Sequence, residues 1–177
     1  LNSGQIEIAW TVRPDQRSVV EAAGRKVGMS TTNNTLNLML RHVDENSPVA
    51  DVRVRRALNY AFNKQQFIDT VLGGTTVPAS QPTTPGMGGH FADIKPYPYD
   101  PDKARALLAE AGYADGLDLV AEIVVVVGDF KDTMEAMAAD FKRVGVNLEL
   151  RVVSIPDFVQ RVLTRVPWEG DAFSMMY

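Results

Sequence analysis

Pro48-Val-Ala-Asp-Val-Arg-Val-Arg-Arg-Ala-Leu-Asn-Tyr-Ala-Phe-Asn63 and, further on, Tyr99-Asp-Pro-Asp-Lys-Ala-Arg-Ala-Leu-Leu-Ala-Glu-Ala-Gly-Tyr113 decide how this chain reads. In the first stretch Asp51 suits a helix N-cap, since a short acidic side chain can accept from the free amides of the first turn. Val54, Ala57, Leu58, Ala61 and Phe62 then recur at i, i+3, i+4, i+7 and i+8, a single helical face. Asn63 suits a second N-cap, with Gln66 three residues on as its capping-box partner. Phe67, Ile68, Val71 and Leu72 continue the apolar face, and Gly73-Gly74 stops it. In the second stretch Asp100 caps a helix with Pro101 at its first position, where the missing N–H costs nothing. Ala104, Leu107, Leu108 and Ala111 form its buried face, and Gly112 ends it.

Outward from these helices, strands and helices alternate. Residues 6–10 are strand-like, 17–24 predict a short helix, and 36–40 are apolar enough for a buried strand. Residues 75–99 hold Pro78, Pro82, Pro85, Pro96 and Pro98 with Gly86, Gly88 and Gly89. A loop of that length is usually functional or disordered. Residues 117–127 read as a central strand rich in β-branched side chains, interrupted by Glu122. Gly128 and Asp129 open a helix whose buried face is Phe130, Met134, Met137, Ala138, Phe141 and Val144, and Gly145 ends it. Val146, Leu148, Leu150 and Val152 alternate with Asn147, Glu149 and Arg151, as a half-buried strand should. Ser154 and Asp157 form an S-x-x-D cap for a last helix carrying Phe158, Val159, Val162, Leu163 and Val166, stopped by Pro167. Residues 171–177 begin another strand. The order from Leu117 is strand, helix, strand, helix, strand: one α/β layer, with right-handed crossovers as the default.

Composition excludes several classes. The chain has 177 residues, 45% of them hydrophobic and 23% charged, as suits one large domain. The net charge of −4 with interspersed signs leaves no basic footprint for nucleic acid or an anionic membrane. No apolar run approaches the roughly 20 residues of a membrane span. With no cysteine there is no disulfide, thiolate nucleophile or cysteine-based metal site.

Chemistry-bearing constellations are weak. Arg53 and Arg56 share a helical face while Arg55 points elsewhere, and Asp44, Glu45 and Asp51 stand ready to neutralise them. An ion-paired surface is the simpler reading than an anion site. Pro85-Gly-Met-Gly-Gly-His90 lacks the lysine of a phosphate loop and the strand-to-helix setting of a dinucleotide fingerprint. His90 and Asp93 are two ligand types where a metal site needs three or four, and His42 has no partner in sight. None of the serines sits in a G-x-S-x-G elbow, and the carboxylates are scattered over polar faces. No catalytic residue, metal ligand or cofactor is expected.

The ordered set of Pro48 with Asp51-Val-Arg-Val-Arg-Arg-Ala, Asn63-Lys-Gln-Gln-Phe-Ile, Val71-Leu-Gly-Gly, Pro85-Gly, the whole 99–113 stretch, Val144-Gly-Val-Asn-Leu-Glu and Asp171-Ala-Phe resembles the extracytoplasmic solute-binding proteins of ABC transporters, peptide/nickel-binding family 5. The resemblance is to the C-terminal lobe and covers about residues 36–177, while 1–35 resemble the approach to the interlobe hinge. It implies a periplasmic-binding-protein-like α/β lobe of a type II (cluster C) protein, with a mixed sheet flanked by helices. The implied protein is a bacterial periplasmic or membrane-anchored lipoprotein that closes on its solute by hinge motion and hands it to ABC permease subunits without chemistry. Known family solutes include peptides, nickel chelates, haem, glutathione and oligosaccharides. An N-terminal lobe of the same chain would complete the cleft, so these 177 residues are expected to be a piece of a longer protein.

Ligands of open α/β sheets lie outside the carboxyl ends of the strands. That rule selects Val127, Gly128 and Asp129 after one strand, Ser154 and Ile155 after the next, and Ser174, Met175, Met176 and Tyr177 on the last. Two other classes fit less well: a sensor or interaction module on the same fold, and a hydrolytic domain using scattered carboxylates. Separation from the other lobe would expose apolar surface around Ile6, Ala9, Trp10, Met175 and Tyr177, so self-association is expected.

Overall fold

Asp51 accepts the Arg53 amide at 2.7 Å, Asn63 accepts the Gln66 amide at 3.1 Å, and Asp100 accepts the Lys103 amide at 2.9 Å, so three side chains start three helices. These are local bonds, and the computed structural model places them where the residue spacing does. It describes residues 5, 8, 12, 14–28, 35–41, 44–124, 128–164 and 170–176, with the side chains of 128–130, 162 and 173–176 left aside. The strand expected at 6–10, residues 125–127, His42, the helix end at Val166 and Pro167, and Tyr177 lie outside that set.

A 3₁₀ turn, Pro14–Gln16, leads into α1 (Arg17–Ala22), and β1 (Leu36–Leu40) follows. A second 3₁₀ turn, Pro48–Ala50, precedes α2 (Val52–Ala61), α3 (Lys64–Thr70) and α4 (Pro101–Glu110). Then come β2 (Leu117–Val124), α5 (Gly128–Lys142), β3 (Val146–Val153), α6 (Ile155–Thr164) and β4 (Ala172–Met176). The four strands form one mixed sheet in the order β1-β4-β2-β3. β2 runs parallel to β3 and to β4, and β1 runs antiparallel to β4.

The sheet has two differently covered faces. Leu117, Leu119, Ala121 and Ile123 alternate along β2 and are buried against α2, α4 and α5, together with Val146 and Leu148 of β3 and Met134, Phe141 and Val144 beyond. Burying such a side chain contributes about 1.5–3 kcal/mol, which is what holds the helical layer on the sheet. The opposite face of β2 carries Glu122, buried to 3% exposure, and Arg161 of α6 reaches it there. α5 and α6 therefore leave neighbouring parallel strands toward opposite faces of the sheet.

Three expectations need correcting. β1 is half-buried along its whole length because it is the edge strand beyond β4, not an interior one. Val71 is exposed because α3 ends at Thr70, whereas Leu72 beyond it still packs against the core. Val152 is 64% exposed while Val153 on the other face is buried.

Asp171 joins β4 to the sheet. Its amide donates to the Val120 carbonyl at 2.8 Å, and its Oδ2 accepts the Val120 amide at 3.0 Å. Its carbonyl accepts the Arg41 amide at 2.8 Å, and its Oδ1 accepts from the Ser47 hydroxyl. Both neighbours of the β4 start and the turn before α2 are thereby tied to one residue.

Candidate functional site

Because β2, β3 and β4 are mutually parallel, their carboxyl ends emerge at one edge. α5 begins at Gly128, close after β2, and α6 begins at Ile155, immediately after β3. The point where helices depart adjacent strand ends to opposite faces is where open α/β sheets take ligands. The backbones of Gly128 and Asp129, of Ser154 and Ile155, and of Ser174, Met175 and Met176 are thus brought to the same edge. Val127 and Tyr177 lie outside the described residues.

Ser154 is engaged locally. Its hydroxyl accepts the Asp157 amide at 3.2 Å and donates to Asp157 Oδ2 at 2.6 Å, so it caps α6. Ile155 is half exposed on the same turn. Deeper in, Arg161 Nη1 donates to both carboxylate oxygens of the buried Glu122, at 2.7 and 2.8 Å, and pairs its charge.

Two features at this edge were not legible in the residue pattern. Register places Leu36 opposite Met176, so the start of β1 reaches the edge as well. Thr35, buried just before it, donates its hydroxyl to the Pro82 carbonyl at 2.9 Å. The 75–99 loop is thereby anchored beside the strand ends. Gln81 grips Phe91 twice, Nε2 to the carbonyl at 2.8 Å and the Phe91 amide to Oε1 at 3.1 Å, closing the glycine-rich tip on itself. Thr84 Oγ1 in this loop is buried with no hydrogen-bond partner among the described residues.

The other constellations resolve into structure. Arg53 Nε lies 3.1 Å from both oxygens of Asp51, and the guanidinium beside it holds the Asp51 carboxyl below its ordinary value. Arg53 Nη1 also donates to the Glu110 carbonyl at 2.6 Å, tying α2 to the end of α4. Arg55 donates to the Val49 and Ala50 carbonyls, at 2.9 and 2.7 Å. Arg53 and Arg55 thus diverge onto four partners, Asp51 and the carbonyls of Glu110, Val49 and Ala50, and do not converge on one point. His90 Nδ1 lies 2.9 Å from the Thr83 carbonyl, inside the loop. Among the described residues no three potential metal ligands gather, and no helix is long and apolar enough to cross a membrane.

Residues 1–173 match the profile of the bacterial extracellular solute-binding proteins, family 5 middle region. Heme-binding protein A of Haemophilus influenzae is 39% identical over 137 residues, covering 72% of this chain and 25% of that protein. The dipeptide-binding protein of Escherichia coli is 33% identical over 137 residues, covering 72% and 26%. The chain thus spans about a quarter of these curated relatives. Among solved structures, NikA from Brucella suis in complex with Fe(III)-EDTA superposes with a TM-score of 0.78 at 25% identity, covering 94% of this chain and 35% of that one. HbpA2 from Haemophilus parasuis superposes with a TM-score of 0.72 at 27% identity, covering 84% and 29%.

Proposed function

We propose that this chain, which belongs to the bacterial extracellular solute-binding proteins of family 5, supplies one wall of a solute cleft in an ABC import system. It is the C-terminal α/β lobe of a two-lobed protein, a single lobe over residues 1–177 with 1–35 next to the hinge. The cleft captures a peptide or similar small solute and presents it, chemically unchanged, to permease subunits in the membrane. The protein works outside the cytoplasm, in the periplasm or as an anchored lipoprotein.

The observation that carries this reading is the shared edge: three parallel strand ends and the starts of two helices that diverge to opposite faces. Gly128 and Asp129, Ser154 and Ile155, and Ser174, Met175 and Met176, with Val127 and Tyr177 beside them in sequence, form the wall. Relatives described as binding heme and dipeptide support the solute class without choosing within it.

The test is a thermal-shift screen of the full-length protein against di- and oligopeptides, glutathione, nickel chelates, haem and oligosaccharides. A solute at a hundredfold excess over its dissociation constant adds about 2.7 kcal/mol of stability. A saturable shift with one class supports the reading. Flat melting curves across the panel, with the same protein correctly folded, overturn it.

A further inference from the structure

A second concavity lies away from the strand ends, between the α2–α3 junction and the extended segment before α4. Its volume is about 200 Å³, and its walls include Phe62, Lys64, Pro78, Pro96, Tyr97 and Tyr99. None of the strand-end residues lines it. The apolar walls are braced: Tyr97 meets Tyr60 edge-on with centroids 5.0 Å apart, Phe62 packs on Phe67 at 5.9 Å, and the Asp100 amide is tied to the Tyr60 carbonyl at 2.9 Å. Proline rings fix the backbone on the facing side. The cavity is preorganised and has not collapsed on itself.

One charged group stands in these walls. Lys64 is half-buried, and its Nζ donates to the Asn59 carbonyl at 3.0 Å. Among the described residues that is its one hydrogen bond, and no carboxylate pairs with it. The nearby polar side chains are already committed, Asn63 to Gln66 and Gln65 to Asp69. Burial pushes the Lys64 ammonium below its ordinary value, with no acid to offset it. A partly desolvated cation without a counter-charge is a standing cost, part of which an anion brought beside it offsets.

We propose that this cavity is a binding site for a small apolar carboxylate, an aryl or branched-alkyl acid whose body fills the tyrosine–proline walls and whose carboxylate pairs with Lys64. The size agrees. A dry cavity of about 150 Å³ is enough for a benzene ring, so 200 Å³ takes a ring-sized body with its head group at the open side. The site is independent of the solute cleft and of the transport reading.

The experiment is a ¹H–¹⁵N NMR titration of the protein with phenylacetate, with phenethylamine and inorganic phosphate as comparators. Phenylacetate is expected to move the Lys64, Gln65, Tyr97 and Tyr99 amides saturably, while the other two leave them in place. Lys64→Met keeps the apolar stem and is expected to weaken phenylacetate about tenfold or more. Lys64→Glu is expected to reverse the preference toward phenethylamine. An unliganded Lys64→Met spectrum that matches the parent outside the cavity shows the fold is kept. Absence of saturable shifts, equal shifts with phosphate, or unchanged phenylacetate binding in Lys64→Met would each overturn the proposal.

Discussion

Arg161 of α6 and Glu122 of β2 form an ion pair across the far face of the sheet, one guanidinium nitrogen lying 2.7 and 2.8 Å from the two carboxylate oxygens. Glu122 is 3% exposed, and the guanidinium beside it offsets part of the cost of burying a charge in a central strand. The pair also ties α6 to β2.

Removing the arginine alone is therefore costly. Arg161→Met takes the guanidinium away from a buried carboxylate and is expected to destabilise the protein, by up to about 3–5 kcal/mol. The double variant Glu122→Leu with Arg161→Met, which removes both charges, is expected to recover most of that loss. Denaturant midpoints of the two variants measure it, and a double variant no better than the single one refutes the account.

Among the described glycines, Gly170 is the one least able to carry a side chain. Its φ is 97°, and an added Cβ would lie 2.9 Å from the Val120 carbonyl oxygen, which already accepts the Asp171 amide. Gly112 has φ 94° with nothing within 4 Å of an added Cβ. Gly112→Ala is expected to cost the backbone strain only, about 1 kcal/mol. Gly170→Ala is expected to cost clearly more and to lower the melting temperature further, because β4 must shift off β2. Equal losses in the two variants would remove the steric argument.

Asp51 contributes stability that depends on pH. The Arg53 side chain, with the Arg53 amide next, lowers its carboxyl below the ordinary 3.8. A depressed acid stabilises the fold above its unfolded value, and that stabilisation is lost as pH falls through the lower folded value. Asp51→Asn keeps the cap but not the charge. The parent is expected to be the more stable at pH 6, with the gap closing as pH drops below 3.8. Urea unfolding of both proteins between pH 2.5 and 7 checks the sign, and a gap that widens in acid contradicts it.

For the strand-end wall, Asp129→Ala and Tyr177→Ala in the full-length protein are each expected to weaken the solute found by the screen, by about tenfold where a charge or an aromatic ring is lost. Isothermal titration reads the change directly. Affinity unchanged in both would move the wall elsewhere.

Much of the fold was legible because its signals are short-range. Asp51, Asn63, Asp100 and Ser154 each bond an amide two or three residues on, so spacing suffices to find them. The alternation of Val146 and Leu148 with Asn147 and Glu149 is equally local. The capping box at Asn63 shows the limit. Gln66 returns its bond to the Asn63 side chain at 2.9 Å, because Asp140 of α5 has taken the Asn63 amide at 2.9 Å. The candidate site was legible only as strand ends, and the approach of Thr35 and Pro82 to them left no mark in either segment.

By itself the sequence determined the helix starts, the α/β alternation and the family. Each of these depends on contacts within a turn or two, or on ordered motifs. Only the tertiary structure decided that β4 enters between β1 and β2, that α5 and α6 part to opposite faces, and that Val152 is left bare. It also decided that Glu122 meets Arg161 and that Val120 meets Asp171, pairs 39 and 51 residues apart. Such contacts follow from how apolar faces bury one another across the whole layer, and no local period encodes that choice.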